Sequence, residues 1–549
     1  MWLFFDEYGK MIKTGKKTGR EIPMKHGRLC FLAALLLASA MLFNSCGLGT
    51  GEMSKDPALD GDGMKDNPAA DSAEEAEAEP VSPFEGLRAF GDADDMAYVL
   101  IYNPGMYREE NGSVVTLSSG KFGKRISADP TCADRSVEIK APATIGQDVL
   151  DPGLPAISPD TGGEERTYTP YRTGDVAGFN YLDVSDPYYM RRRTADFECV
   201  FAGDAVNVWI PKGSELVSKA DAKDLADTFA NEVCDACVGL FGEPRFAGNG
   251  HKINFLVHDG FDRSTMCFFF RYDLYSESDG LGTYETETYK PNYDHAILNV
   301  NPWIVGNGEY KDMLRSVLAH EFQHLICFSA FFENGGRGQS AAWLNEAMSG
   351  FAEEYICRGI HENNGAYEAL AEDKAIRHGQ SLYDLTANDS SIGAYCSLFL
   401  FSEYLASKGG EEVFHMIHDR WRIAANGTAD AAAIRESMPA FEQRRIDVMI
   451  EYPEGFAELS GDETWLSKLT LDFYLELLDH DGDDPAQFEA LNAQTLLYDE
   501  VGGAEIAGGG RVIVATADGT YGIPDDADKG LVYIGLDKDF NIITAPAFN

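Results

Sequence analysis

Two histidines four residues apart with a glutamate behind the first, His320-Glu321-Phe322-Gln323-His324, constrain this chain more than any other stretch. They lie in the run SVLAHEFQHLICFSA, where Leu314, Leu318, Phe322 and Leu325 form one apolar stripe at helical spacing. Val317, His320, Glu321 and His324 fall on the adjoining face. Side chains at i and i+4 point the same way, so a helix over about 310–328 would aim both imidazoles at one ion. Glu321 is placed to lean toward a water at that ion without ligating it. Trp343-Leu344-Asn345-Glu346-Ala347 follows the glycine-rich NGGRG loop, opens a second helix at about 342–358, and supplies another carboxylate. Two histidines and a glutamate leave a coordination position open, which is a catalytic rather than a structural ligand set. The pattern predicts a zinc hydrolase site with ligands His320, His324 and Glu346 and general base Glu321.

The surroundings alternate strand and helix. AVNVWIP (205–211) and KINFLVHD (252–259) read as strands with a helix at about 222–241 between them. CFFFRYDLY and HAILNVNP (295–302) complete a lobe of strands that leads into the histidine-bearing helix. From 84 to 200, short strands are broken by Gly, Pro, Asp and Asn, with MAYVLIYN and GSVVTLSS the clearest. Downstream, AYCSLFLFSEYLASKGG, GEEVFHMIHDRWRIA and TWLSKLTLDFYLELLDH read as helices, and RVIVATAD and GLVYIGL return to strands. The fold class expected is α+β.

HEFQHLI followed by WLNEAMSGFAEE resembles the gluzincins, the zincin group in which a glutamate on a second helix completes the metal site. More closely it resembles the hyicolysin-type bacterial zinc metallopeptidases, which share the HEFQH helix and the WLNE segment. The resemblance covers about 205–406. It implies a zincin-type core, one catalytic zinc on His320, His324 and Glu346, and Glu321 as the base. In thermolysin-like gluzincins an aspartate four residues after the ligand glutamate backs the first histidine. Gly350 holds that place here, which leaves Glu353 or Glu354 as the orienting acceptor. The family has a tyrosine-bearing helix where this chain has one beginning near Ser391, implying Tyr395 as donor to a tetrahedral oxyanion; His415 and His418 are the alternatives.

Charge narrows the partners. Ninety acidic against 45 basic residues give a net charge of -45, which repels phosphate over long range and argues against nucleic acid and anionic lipid heads. A protein or peptide substrate is expected. Arg28 precedes an apolar stretch over 29–43 that ends at Asn44-Ser45-Cys46-Gly47, too short for a comfortable span and laid out as an export signal. Met24 would serve as its start. Its end resembles the bacterial lipoprotein box, with Phe43 where Leu is usual and Cys46 as the lipidated residue. The expectation is an exported lipoprotein anchored to a membrane through Cys46, facing the periplasm or the cell surface; ordinary secretion is the alternative. Ten acidic residues and two lysines over 51–80 cannot bury apolar area and predict a disordered tether.

Two lesser features carry other chemistries. Cys234-x-x-Cys237 lies in a helical pattern, which predicts a buried thiol pair or a local disulfide rather than a redox turn. Asp479-His480-Asp481-Gly482-Asp483-Asp484 would clasp calcium weakly, lacking the glycine and terminal glutamate of an EF-hand loop; a solvated turn is the better reading.

The organisation expected is a signal region (1–46), a tether (47–83), a β-rich N-terminal domain (84–200), an upper lobe with the active-site helix (201–330), a helical lower lobe with the third ligand (331–500) and a C-terminal β-segment (501–549). The function expected is that of a zinc-dependent endopeptidase. Two rivals stand beside it: a zinc amidase acting on cell-wall peptides, which keeps every site residue, and a surface-binding or structural lipoprotein with a degenerate zincin fold. The intact Glu321 argues against the second.

Overall fold

The computed structural model describes residues 79–105, 115–116, 170–185, 191–244, 252–274, 292–330, 342–357, 381–383, 391–423, 430–478, 505–516, 521, 523 and 530–548, apart from scattered positions within these ranges. The signal region with Cys46, the tether up to residue 78 and the acidic run from Asp479 to Asp484 lie outside the described residues. Helices and strands are mixed along the chain, as an α+β class requires.

The first strand, β1 (Tyr98–Tyr102), runs between β10 (Arg511–Ala515) and β11 (Val532–Leu536), antiparallel to both; β12 (Ala547–Phe548) completes the sheet. All five residues of β1 are buried because both its faces are covered. Tyr98, Leu100 and Tyr102 join the main core, while Val99 and Ile101 pack with Val512, Val514 and Tyr533 in a second one. A short pair, β2 (Val115–Thr116) with β9 (Glu505–Ile506), also joins early chain to late chain. The N-terminal region and the C-terminal segment, expected as separate units, thus share two sheets.

A six-stranded sheet forms the centre. Its strands are β3 (Val176–Asp183), β4 (Arg191–Ala202), β5 (Val206–Pro211), β6 (Ile253–Val257), β7 (Cys267–Phe269) and β8 (Ile297–Val300), in the order β3-β4-β5-β6-β8-β7. The expected boundary at residue 200 falls inside β4, which pairs with β5 across it. β5, β6 and β8 are mutually parallel, and β7 closes one side antiparallel to β8. Val206, Val208, Phe255, Leu298 and Val300 face the helices, and Trp209, Leu256 and Ile297 face a second cluster with Phe179 and Phe197. On that second face Asn254 Oδ1 accepts from Asn207 Nδ2 at 3.1 Å and from Trp209 Nε1 at 3.0 Å, so the buried amide is used.

The crossover from β5 to β6 is helical: α1 (Lys219–Thr228), a π-helical turn (Phe229–Cys234) and α2 (Asp235–Phe241). A capping box starts α1, with Ser218 Oγ accepting from the Asp221 N–H at 3.1 Å and Asp221 Oδ2 accepting from the Ser218 N–H at 3.2 Å. This crossover supports α3 (Lys311–Ala330), which carries the paired histidines. Glu232 of the π turn pairs with Lys311 at 3.1 Å and with Arg315, and Phe229 meets Phe322 edge to face at 4.9 Å. The predicted stripe of Leu314, Leu318, Phe322 and Leu325 is buried throughout.

Helix α4 (Ala342–Cys357) packs along α3, and α5 (Ser391–Gly409) packs along α4. Then come α6 (Glu412–Ile423), α7 (Asp430–Ser437), α8 (Ala440–Met449) and α9 (Gly461–Glu476). Arg445 forks onto Asp472 at 2.9 and 2.6 Å, and Tyr404 donates to the same carboxylate at 2.5 Å, tying α5, α8 and α9 together. Tyr102 donates to the Ser467 carbonyl at 2.9 Å and so binds the small sheet to α9. Cys199, Cys234, Cys237 and Cys267 form no disulfide; Cys237 is buried and Cys234 half-buried, so the expected pair is a pair of thiols, one of them fully enclosed. Among the described residues no helix is long and apolar enough to cross a membrane.

Candidate metal centre

The packing of α3 against α4 brings three donor groups from two helices to one point. One ligand atom each from His320, His324 and Glu346 lie within 4.8 Å of one another. His320 Nε2 is 3.3 Å from Glu346 Oε2, and His324 Nε2 is 3.6 Å from Glu346 Oε1. Ligands ~2.0–2.1 Å from a tetrahedral zinc stand ~3.3 Å apart, so the spacing and the nitrogen–oxygen chemistry fit that ion. Glu346 is held from its own helix, where the Ser349 hydroxyl donates to its carbonyl at 2.9 Å and lies 3.4 Å from Oε2.

The two histidines are tuned in opposite directions. Burial pushes His324 down to about 4, so its imidazole is neutral and available as a ligand at ordinary pH. Burial also works against charge on His320, but Glu346 and Glu353 outweigh it and hold its pKa well above the usual range. Burial alone would raise Glu346; His324 and His320 outweigh it and hold the group low. His320 meets a carboxylate at each ring nitrogen, Glu353 at Nδ1 and Glu346 at Nε2, and a cation ligated by Nε2 would stand in place of a proton there.

Glu321 lies beside the cluster, at the side of β7. Its Oε2 accepts the Phe269 backbone N–H at 2.7 Å. Burial first, and then the charges of Glu346 and Glu353, push its pKa up to about 7 against the opposing effects of His320 and the Phe269 N–H. Of the two orienting candidates, Glu353 Oε1 accepts from His320 Nδ1 at 2.6 Å. The side chain of Glu354 lies outside the described residues.

The other expected positions sit as follows. Tyr395 is on α5, but its side chain lies outside the described residues. His418 is fully enclosed, donating from Nδ1 to the Phe414 carbonyl at 3.0 Å and packing on Phe241 and Trp421. His415 is partly exposed, 3.6 Å from Asp419. Three contacts were not foreseen from sequence: Ser316, which donates to Glu353 Oε2 at 2.8 Å; the Phe269 N–H; and Asn345, whose side chain favours charge on His324. Neither His324 Nδ1 nor Asn345 Oδ1 has a hydrogen bond of ordinary geometry, so the two are neighbours without being well aligned. No periodic signal marks a lone serine or a strand amide; only Asn345, preceding the glutamate, had a local one.

A scan against models of known protein families matches none. Among curated proteins the chain is similar to the neutral metalloprotease ShpI of Staphylococcus hyicus, with 25% identity over 229 residues, 40% of this chain. The matched part is 49% of that protein, so the chain spans about half the length of the curated relative it matches. The likeness supports a relationship to metallopeptidases at that coarse level.

Proposed function

We propose that the chain is a zinc-dependent peptidase that cleaves within extended peptide segments. The observation that carries the reading is the convergence of His320, His324 and Glu346 within 4.8 Å beside Glu321; the similarity to a neutral metalloprotease supports it. In this reading the core is a gluzincin-type zincin core of the hyicolysin kind, with the third ligand on α4. A zinc ion held there supplies a Lewis acid that polarises a carbonyl and acidifies water.

Glu321 is the general base. With Oε2 held by the Phe269 N–H, Oε1 remains to take a proton from the attacking water and deliver it to the leaving nitrogen. β7 is the last strand of the described sheet, and an extended peptide laid along it would bring a carbonyl beside Glu321. Tyr395 of α5 is the proposed oxyanion donor. Export and a lipid anchor at Cys46 belong to the same proposal and are supported by the sequence of the signal region.

An unbiased peptide library, incubated with the purified protein with and without a zinc chelator, tests the reading. Cleavage should vanish on chelation and return with zinc. The Glu321→Gln protein should keep its zinc and lose at least ~100-fold in rate. Cleavage that survives chelation would contradict the proposal. A zinc-loaded protein that cleaves no peptide would shift the weight to the amidase or binding-module alternatives.

A further inference from the structure

A row of polar contacts runs without a break along the α3–α4 interface. Helix α3 presents Ser316, His320 and His324 one turn apart, and α4 presents Glu346 and Glu353 two turns apart. Ser316 Oγ donates to Glu353 Oε2 at 2.8 Å, and His320 Nδ1 donates to Glu353 Oε1 at 2.6 Å. His320 Nε2 then faces Glu346 Oε2 at 3.3 Å, and Glu346 Oε1 faces His324 Nε2 at 3.6 Å. The row begins at a hydroxyl and ends at a ligand.

Ser316 differs from four other helical serines of this fold. Ser329, Ser349, Ser402 and Ser407 each donate to the carbonyl three residues back in their own helix. Ser316 instead spends its one donor across the interface, from a fully buried position. Its target needs such a contact. Glu353 reaches over from a neighbouring helix on a side chain with three rotatable bonds, and one contact to His320 would leave its carboxylate free to swing. A second contact, on the other oxygen, fixes the carboxylate plane. The geometry follows: Oε2 of Glu353 accepts from the Ser316 hydroxyl and Oε1 from Nδ1 of His320, which turns Nε2 of that ring toward Glu346 and the site.

We propose that Ser316 is a positioning residue of the metal site, pinning Glu353 and through it the ring of His320. The inference rests on the metal-binding reading of His320, His324 and Glu346, and it extends that reading beyond the residues that touch the ion.

The test is zinc affinity of the full chain, measured by competition with a chelator of known affinity, in a double-mutant cycle. Ser316→Ala should weaken binding about tenfold, and Glu353→Ala about tenfold to a hundredfold. In the Glu353→Ala background, Ser316→Ala should have no further effect, because the hydroxyl then has no carboxylate to hold. The melting temperatures of the metal-free proteins report packing separately. Unchanged affinity in Ser316→Ala would overturn the inference. So would the same loss in both backgrounds, since a packing defect does not depend on Glu353. If the wild-type chain binds no zinc at all, the reading of the site fails along with it.

Discussion

Among the described residues, the buried histidines His258, His324 and His418 and the half-buried His320 differ by what faces each nitrogen, and that sets what each can do. His258 accepts the Gly260 N–H on Nδ1 at 3.1 Å, so Nε2 is the protonated nitrogen and donates to Asn299 Oδ1 at 3.2 Å. Both nitrogens are used in structure, and burial pushes its pKa down to about 4. His418, enclosed by aromatic rings, is pushed down to about 3 by the same cause. His324 has an unengaged Nδ1 and faces Glu346 with Nε2, while His320 is gripped on both sides by carboxylates. The two structural histidines predict an acid sensitivity. Unfolded histidine titrates near 6.5, so between about pH 6.5 and 4 the unfolded chain binds protons that the folded chain refuses. The stability they contribute is complete above that window and is lost as pH falls through it, on the order of 3 kcal/mol for each. In urea unfolding of the metal-free protein at steps from pH 7.5 to 4.5, the His418→Leu protein should lose less stability than the unaltered chain as pH falls, because Glu321 and His320 act alike in both. A stability difference between the two proteins that does not change with pH would contradict it.

At the scale of elements, what could be read from sequence was what is local. The stripe of α3 gave its limits to within about two residues, because an apolar face at helical spacing needs no knowledge of its partner. The motif and the following Asn-Glu pointed to the cluster of His320, His324 and Glu346 for the same reason. Glu353 stands two turns after Glu346, on the same face of α4. What escaped was set by contacts between distant elements. HAILNVNP lacks clean alternation because β8 is buried on both faces, so no polar side exists to alternate with. The place of β1 between β10 and β11 depends on partners more than 400 residues away, which no window of sequence encodes. Helices α7 and α8, short and rich in charge and alanine, carry too little apolar periodicity to stand out. The π turn within the crossover has no compositional mark, and Ser316 reads as one more small residue on a core helix.

At the scale of the whole molecule, the early and late parts of the chain close on each other and onto the helices that carry the site. β1 lies between two late strands, its Tyr102 reaches α9, and Ile513 and Ile534 of those late strands join the core that also holds Phe322 of α3. A chain ending at residue 504 would strip β1 of both neighbours and uncover Val99, Leu100, Ile101 and Tyr102. It should fail to unfold cooperatively in urea and should be digested far faster than the full chain; a truncated protein that melts like the full one would refute this closure. The interior also offers the ion a second kind of ligand, since the thiols of Cys237 and Cys267 are buried and form no disulfide. X-ray absorption at the zinc edge, on protein loaded with one equivalent of zinc, separates the possibilities. Two nitrogen ligands and at least one oxygen at about 2.0–2.1 Å, with stoichiometric binding lost in Glu346→Ala, is the result expected of a site built from His320, His324 and Glu346. Sulfur ligands at about 2.3 Å, or no tightly bound zinc, would contradict it.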